Sequence, residues 1–170
     1  MKKYYSPKLL DLGSGSGSVE ETYSIDYAID LHDDSAKRYT KFIKHDLCKK
    51  PYPLDKKFKT ILCLGTLHYI EEPDLLLKEV KRLLSADGHF ILSFNMSKKI
   101  ANWWANKWKC PIKHQDLTRE QLIKLLNKNN FIIIKEYYNV SLNLLHGWTF
   151  LWRLINPNKV YMVCKLNTIQ

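Results

Sequence analysis

Three glycines alternate with serines directly behind an apolar run, in Leu9-Leu10-Asp11-Leu12-Gly13-Ser14-Gly15-Ser16-Gly17-Ser18. The run Lys8 to Leu12 is short and nearly all apolar, as a central parallel strand covered on both faces must be. Glycine has no Cβ, so it accepts positive φ and lets a ligand lie directly on the backbone. A helix starting behind such a turn aims its free N–H groups into the crevice. The stretch therefore predicts a nucleotide or cofactor cradle at the carboxyl end of the first strand. Ser18 to Tyr23 leaves room for only about two helical turns behind it.

The chain then alternates strands with helices. Tyr27-Ala28-Ile29-Asp30 predicts a second buried strand ending in an acid, and the polar segment Leu31 to Thr40 predicts an abbreviated crossover. Phe42 and Ile43 mark a short third strand running into His45-Asp46-Leu47. Thr60 to Gly65 is a continuous apolar run, the pattern of a central strand. Pro73 suits a first helical position, and Leu76, Leu77, Val80, Leu83 and Leu84 recur at helical spacing. Asp87-Gly88 is expected to stop that helix and turn the chain into a fifth strand, His89 to Phe94. Thr118-x-x-Gln121 is a capping-box signature for a helix through Leu126. Phe131 to Tyr138 and Val160 to Leu166 read as the last two strands. The order predicts one doubly wound α/β domain over residues 1–170, with its ligand at the carboxyl ends of the strands. Within it, residues 8–95 are expected to form the cofactor half and 96–170 the acceptor side.

Three acids stand at three consecutive strand ends: Asp11, Asp30 and Asp46. An acid at the second strand end can accept hydrogen bonds from both hydroxyls of a ribose. One at the third can accept from an exocyclic adenine amine. Taken singly, each also fits a turn or a helix cap. Together they suit a ligand that carries positive charge and no phosphates. No Gly-Lys-[Ser/Thr] follows the glycines, which argues against a phosphate-binding loop, and Ser18 stands where a dinucleotide fingerprint has its third glycine.

Composition excludes little else. The chain has 170 residues, 45% of them hydrophobic, enough for one packed domain. Cys48, Cys63, Cys110 and Cys164 lie far apart, which argues against zinc and a disulfide framework, so no metal is expected. The N-terminus lacks the apolar run of a signal peptide, and Leu142 to Ile155 is too short and too polar to span a bilayer. A cytoplasmic protein is the expectation. The formal charge of +10 fits RNA, an anionic membrane or an acidic substrate; it also fits solvated faces, and the lysines are scattered.

In this ordered set the chain resembles the small class I S-adenosylmethionine-dependent methyltransferases. The blocks are Leu9 to Gly17, Ile29-Asp30, His45-Asp46-Leu47 with Pro51-Tyr52-Pro53, and Phe58 to Pro73 continued through Glu79 to Ser93. Thr118 to Tyr137 is similar to the family's late helix and strand. The resemblance implies a Rossmann-like sheet of seven mostly parallel strands, the last antiparallel. It implies methyl transfer from S-adenosylmethionine, leaving S-adenosylhomocysteine. Asp11, Gly13, Ser14 and Gly15 would hold the amino-acid end of the cofactor, and Asp30 its ribose, with Leu31 alongside. Asp46 and Leu47 would meet the adenine, and Leu64 and Gly65 would pass under the methionine part.

The acceptor side is less defined. His68, just past the fourth strand, is a candidate base or substrate contact, or else a packing histidine. His114 is a candidate substrate contact or an ordinary loop residue. Asn95 suits orienting an acceptor or capping a helix, and Tyr69 suits stacking on a substrate or filling core. Trp103, Trp104 and Trp108 among lysines, and Trp148 with Trp152 at helical spacing, suit either stacking or packing on the sheet. Leu64-Gly65-Thr66-Leu67 replaces the Asn-Pro-Pro-Tyr-like run of exocyclic-amine nucleic-acid methyltransferases, and Cys63 lies inside a strand. This favours a small-molecule or lipid- or glycan-linked acceptor over RNA. Almost no chain precedes the first strand, so an acceptor side that is open, or closed by a partner, is expected. A cofactor-binding partner protein without activity and an RNA methyltransferase are the alternatives.

Overall fold

The strand ends that carry the three acids meet because their strands run in the same direction in one sheet. A computed structural model describes residues 2–15, 25–33, 36–95, 117–139 and 159–167. Its seven strands are β1 (Leu9–Leu12), β2 (Tyr27–Asp30), β3 (Lys41–Lys44), β4 (Phe58–Leu64), β5 (Leu84–Asn95), β6 (Phe131–Asn139) and β7 (Lys159–Leu166). They lie in the order β3-β2-β1-β4-β5-β7-β6. Neighbours from β3 to β5 pair in parallel, whereas β7 pairs antiparallel with both β5 and β6. The last strand alone therefore runs against the others, as expected. The direction of winding reverses between β1 and β4, which opens a crevice at their carboxyl ends.

Helix α1 (Pro73–Leu83) and helix α2 (Arg119–Lys128) cover one face of the sheet. Their Leu76, Leu77, Val80, Leu83, Leu122 and Leu126 are buried in one cluster with Leu10, Leu12, Ile61, Phe90 and Phe131. Leu9, Ala28, Leu62, Ile91 and Val163 point to the opposite face, where Ile25 and Tyr39 pack on them. Alternation of side chains along each strand divides the two clusters. Among the described residues, no helix is long and apolar enough to cross a membrane. The helix predicted at Ser18 to Tyr23 and the aromatic stretch Leu142 to Ile155 lie outside the described residues.

The termini of the two helices follow from local chemistry. Pro73 opens α1, where its missing N–H costs nothing. Thr118 accepts a hydrogen bond from the backbone of Gln121 at 3.2 Å, and the Gln121 side chain accepts from the Thr118 backbone at 2.7 Å. Both halves of the expected capping box are thus present. Asn129 caps the other end, and Asn130 takes the left-handed φ of 62° that asparagine tolerates. Lys128 and Asn129 also bond Asp74, tying the end of α2 to the start of α1.

One boundary differs from expectation. Helix α1 stops at Leu83, four residues before Asp87, and Leu84 is already extended with ψ 136°. Leu84 pairs with Phe58, and a register shift between Phe58 and Thr60 brings the ladder to His89. A buried leucine at helical spacing fits the last helical turn and the first strand residue equally well, so periodicity alone misplaces it. Gly88 does not take positive φ; its added Cβ would lie 2.8 Å from Leu84 Cδ1. The glycine is needed for space rather than for a turn.

Replacing Thr118 with alanine removes the acceptor for one orphan N–H and breaks the reciprocal pair. The unfolding free energy should fall by about 1 kcal/mol. Urea titration checks it: the midpoint shifts and the slope does not.

Candidate functional site

Gly13 is where β1, β2 and the loop behind β4 come together. Its φ is +76°, and its N–H donates to the Ile29 carbonyl at 2.8 Å. Its own carbonyl accepts from the Thr66 hydroxyl at 3.2 Å. A Cβ on Gly13 would overlap the Thr66 side chain, reaching within 2.8 Å of its Cβ. Both reasons for glycine, conformation and close approach, apply at this one position. Two residues on, Gly15 takes φ +52°, and its N–H donates to Asp30 Oδ2 at 2.8 Å. The other oxygen of Asp30 accepts from the His32 N–H at 3.0 Å. Asp30 thus links the glycine turn to the turn behind β2. Beside it Leu31 is 48% exposed, an apolar side chain left at the mouth of the crevice.

Asp11 is the least solvated member of the group. It is 1% exposed, and its Oδ2 has no hydrogen-bond partner. Burial first, then the charge of Asp30, push its carboxyl up to about 7. Across the sheet it sits between Ala28 and Leu62, neither of which offers a polar group.

The end of β3 is held differently. The His45 N–H donates to the Asp30 carbonyl at 2.8 Å, and Asp46 Oδ1 accepts from the Cys48 N–H at 2.9 Å. Leu47 is buried, and its carbonyl accepts from the Tyr52 hydroxyl at 3.0 Å. Tyr52 is in turn fixed to α1: its N–H donates to Glu79 Oε2 at 2.9 Å. Arg82 donates to the carbonyls of Tyr52 and Leu54 at 3.1 and 2.8 Å, and to Glu79 at 2.7 Å. Burial by itself would raise the Glu79 carboxyl; bonds from Arg82 and from the Tyr52 N–H hold it below its ordinary value. This clamp escaped the sequence reading. Its signal was Glu79, a charge set beside Val80 in an apolar helical stripe, with an arginine three residues on.

Leu64 ends β4, and Gly65 follows with φ +75°. A Cβ on Gly15 or Gly65 would meet nothing within 4 Å, so open space lies over both. His68 is only 5% exposed, its ring stacked on Phe94 at 4.5 Å. Tyr69 beside it is exposed. Burial, and after it the charge of Asp11, push the Cys63 thiol up to about 12, so it is no nucleophile. Asn95 is the last residue of β5. His114 and the five tryptophans lie outside the described residues.

The structure thus brings Asp11, Gly13, Ser14, Gly15, Asp30, Leu31, Asp46, Leu47, Leu64 and Gly65 to adjoining strand ends. Carboxylate acceptors, an apolar lip and two open glycines suit a ligand with amine and hydroxyl donors. Among the described residues, no group of three or more His, Cys, Asp or Glu is placed to hold a metal.

The chain is similar to known proteins in sequence and in fold. Residues 10–92 match the family model described as a methyltransferase domain. The chain is 25% identical to the ubiquinone biosynthesis O-methyltransferase of Pelagibacter ubique, over 93% of this chain and 73% of that protein. Among solved structures, an S-adenosylmethionine-dependent methyltransferase from Mesorhizobium loti superposes with a TM-score of 0.71 at 19% identity. That match covers 92% of this chain and 89% of the other. A complex of the Haloferax volcanii Trm112 methyltransferase activator with a methyltransferase gives 0.74 at 14% identity, covering 95% and 82%. At these identities the two structures speak for the fold alone.

Two substitutions check how the site is supported. Gly13→Ala combines a left-handed φ with overlap against Thr66 and should cost about 3 kcal/mol of stability. Adding Thr66→Ala removes the hydroxyl and methyl but leaves its Cβ 2.8 Å away, so only part of the steric share should return, read as coupling in a double-mutant cycle in urea. Arg82→Ala removes a donor from three acceptors, of which Tyr52 O keeps the Leu54 N–H and Glu79 keeps the Tyr52 N–H, and should lower stability by about 2 kcal/mol, measured in the same way.

Proposed function

We propose that the chain is a methyltransferase of the family whose domain model matches residues 10–92, and that it methylates a small-molecule or lipid- or glycan-linked acceptor. S-adenosylmethionine is its methyl donor. The observation that carries the site assignment is the trio Asp11, Asp30 and Asp46 around two glycines with open space above them. In this reading Asp11 and the turn Gly13-Ser14-Gly15 take the amino-acid end of the cofactor. Asp30 takes the ribose hydroxyls, with Leu31 covering the sugar. Asp46 and Leu47 take the adenine edge, and Leu64 with Gly65 lie along the methionine part.

When bound, S-adenosylmethionine supplies an electrophilic methyl group on a sulfonium, a very good leaving group. The work left to the protein is positioning and exclusion of water. The stiff parts of the site serve that need: Gly13 is fixed from two strands, and Leu47 is fixed through Tyr52 to α1. A general base is required only where the acceptor is protonated at working pH. Of the two roles open to His68, burial and stacking on Phe94 support packing, which fixes the loop behind β4 against β5. His114 stays the other candidate for an acceptor contact. The relative's name, an O-methyltransferase, supports an oxygen acceptor on a small molecule. The absence of an Asn-Pro-Pro-Tyr-like run behind β4 supports setting RNA aside.

Calorimetric titration with S-adenosylmethionine tests the reading: saturable binding is expected, and no heat at millimolar ligand sinks it. Asp30→Ala should bind about ten- to a hundredfold more weakly, since a charged acceptor of several hydrogen bonds is lost. Circular dichroism should show the fold intact. Asp30→Asn, which keeps one acceptor for the Gly15 N–H, should fall between the two. An unchanged affinity in Asp30→Ala would mean that the ribose lies elsewhere.

A further inference from the structure

Asp11 stands out among the site's acids because it is buried and no cation among the described residues pairs with it. Its Oδ2 is buried and has no hydrogen-bond partner, and its strand neighbours Ala28 and Leu62 are apolar. Among the described residues, the titratable groups in electrostatic reach are Asp30, from the end of β2, and the thiol of Cys63, from β4. Neither is a cation. An ionised carboxylate in such a place is costly, and a proton is the simplest way to neutralise it.

We propose that Asp11 carries a proton while the cradle is empty and releases it to solvent when a cationic amine settles beside Oδ2. Ligand uptake then responds to pH and to the charge on the ligand. The inference rests on the methyltransferase reading, which places the amino-acid end of the cofactor at this carboxylate. The proton balance is simple: one proton leaves Asp11 for the buffer, and the ammonium of the ligand supplies the positive charge in its place. No covalent bond within the ligand changes. The carboxyl pushed up to about 7 in the empty site agrees with this. An ammonium at hydrogen-bonding distance must depress it, and linkage then requires binding to strengthen as pH rises toward that value. Ligands that present no amine gain nothing from ionising Asp11.

The test uses S-adenosylhomocysteine, which has the amine, and 5′-methylthioadenosine, which keeps the adenosine and lacks it. Affinities are measured by calorimetry at pH 6.0 and 7.5, in two buffers of different ionisation enthalpy at each pH. For S-adenosylhomocysteine the affinity should be about eightfold higher at pH 7.5, with about one proton released per ligand at pH 6.0. For 5′-methylthioadenosine both effects should vanish. Asp11→Asn should bind S-adenosylhomocysteine with no pH trend and no proton release. If S-adenosylhomocysteine binds equally at both pH values without proton exchange, the proton linkage is wrong and the cofactor reading stands. A trend that persists in Asp11→Asn, or appears with 5′-methylthioadenosine, assigns the proton to His32, His45 or His68 and overturns the inference. No binding of S-adenosylhomocysteine at any pH overturns the site reading itself.

Discussion

The cofactor end of the sheet depends on the junction at Gly13. One residue there serves three elements: it ends β1, its N–H closes onto β2 through Ile29, and its carbonyl takes the hydroxyl of Thr66 from behind β4. Each bond is worth about 1 kcal/mol, yet their value lies more in geometry than in energy. They convert the register of β1 against β2 and β4 into a fixed distance between loops. Gly15 extends the same logic by one step, because its N–H can reach Asp30 only if Gly13 has already turned the chain. Any side chain at position 13 meets both a left-handed φ and Thr66, so a substitute there is strained on two counts.

The adenine-facing end has a different problem. Strand β3 has four residues, sits at the edge of the sheet and pairs on one side only. A short edge strand is a poor platform for holding Asp46 and Leu47 to within an ångström. The support comes from outside the sheet. Tyr52 bonds the Leu47 carbonyl with its hydroxyl and Glu79 with its backbone, and Arg82 closes the loop over Leu54. Helix α1 is itself rigidly placed by five buried residues along one stripe, Glu79 among them. Packing energy in the core is thereby passed outward to a loop that has little of its own.

What was legible in the chain, and what was not, divides along that line. Tyr27–Asp30 and the Thr118 capping box could be read because each is decided by neighbours within four residues. The strand-end acids could be read because alternating strands and helices bring such ends together. The end of α1 could not be: Leu84 is equally at home in a helical stripe and in a buried strand, and only pairing with Phe58 settles it. The clamp was missed because Glu79 and Arg82 act on Tyr52 and Leu54, 27 and 28 residues earlier in the chain. Sequence order says nothing about which carbonyls a guanidinium will find. Asp11 was assigned to the cradle from its place before the glycines. That its Oδ2 would be left without any partner emerges only from the packing around it.

Charge completes the picture. The chain carries 27 basic and 17 acidic residues, so acids are scarce and cations abundant. Among the described residues Asp33, Asp74, Glu79, Asp87 and Glu136 each form an ion pair with a lysine or arginine. Asp11, Asp30 and Asp46 form none among those residues, although cations outnumber acids throughout the protein. Lysines on flexible stems find exposed carboxylates readily, and such pairs are worth little individually. Burial denies Asp11 to a cation, and backbone N–H groups bond the carboxylates of Asp30 and Asp46. Backbone donors satisfy a carboxylate without neutralising it. Asp30 and Asp46 thus reach the site without a lysine or arginine partner among the described residues, and local geometry rather than net charge decides which ligand the site attracts.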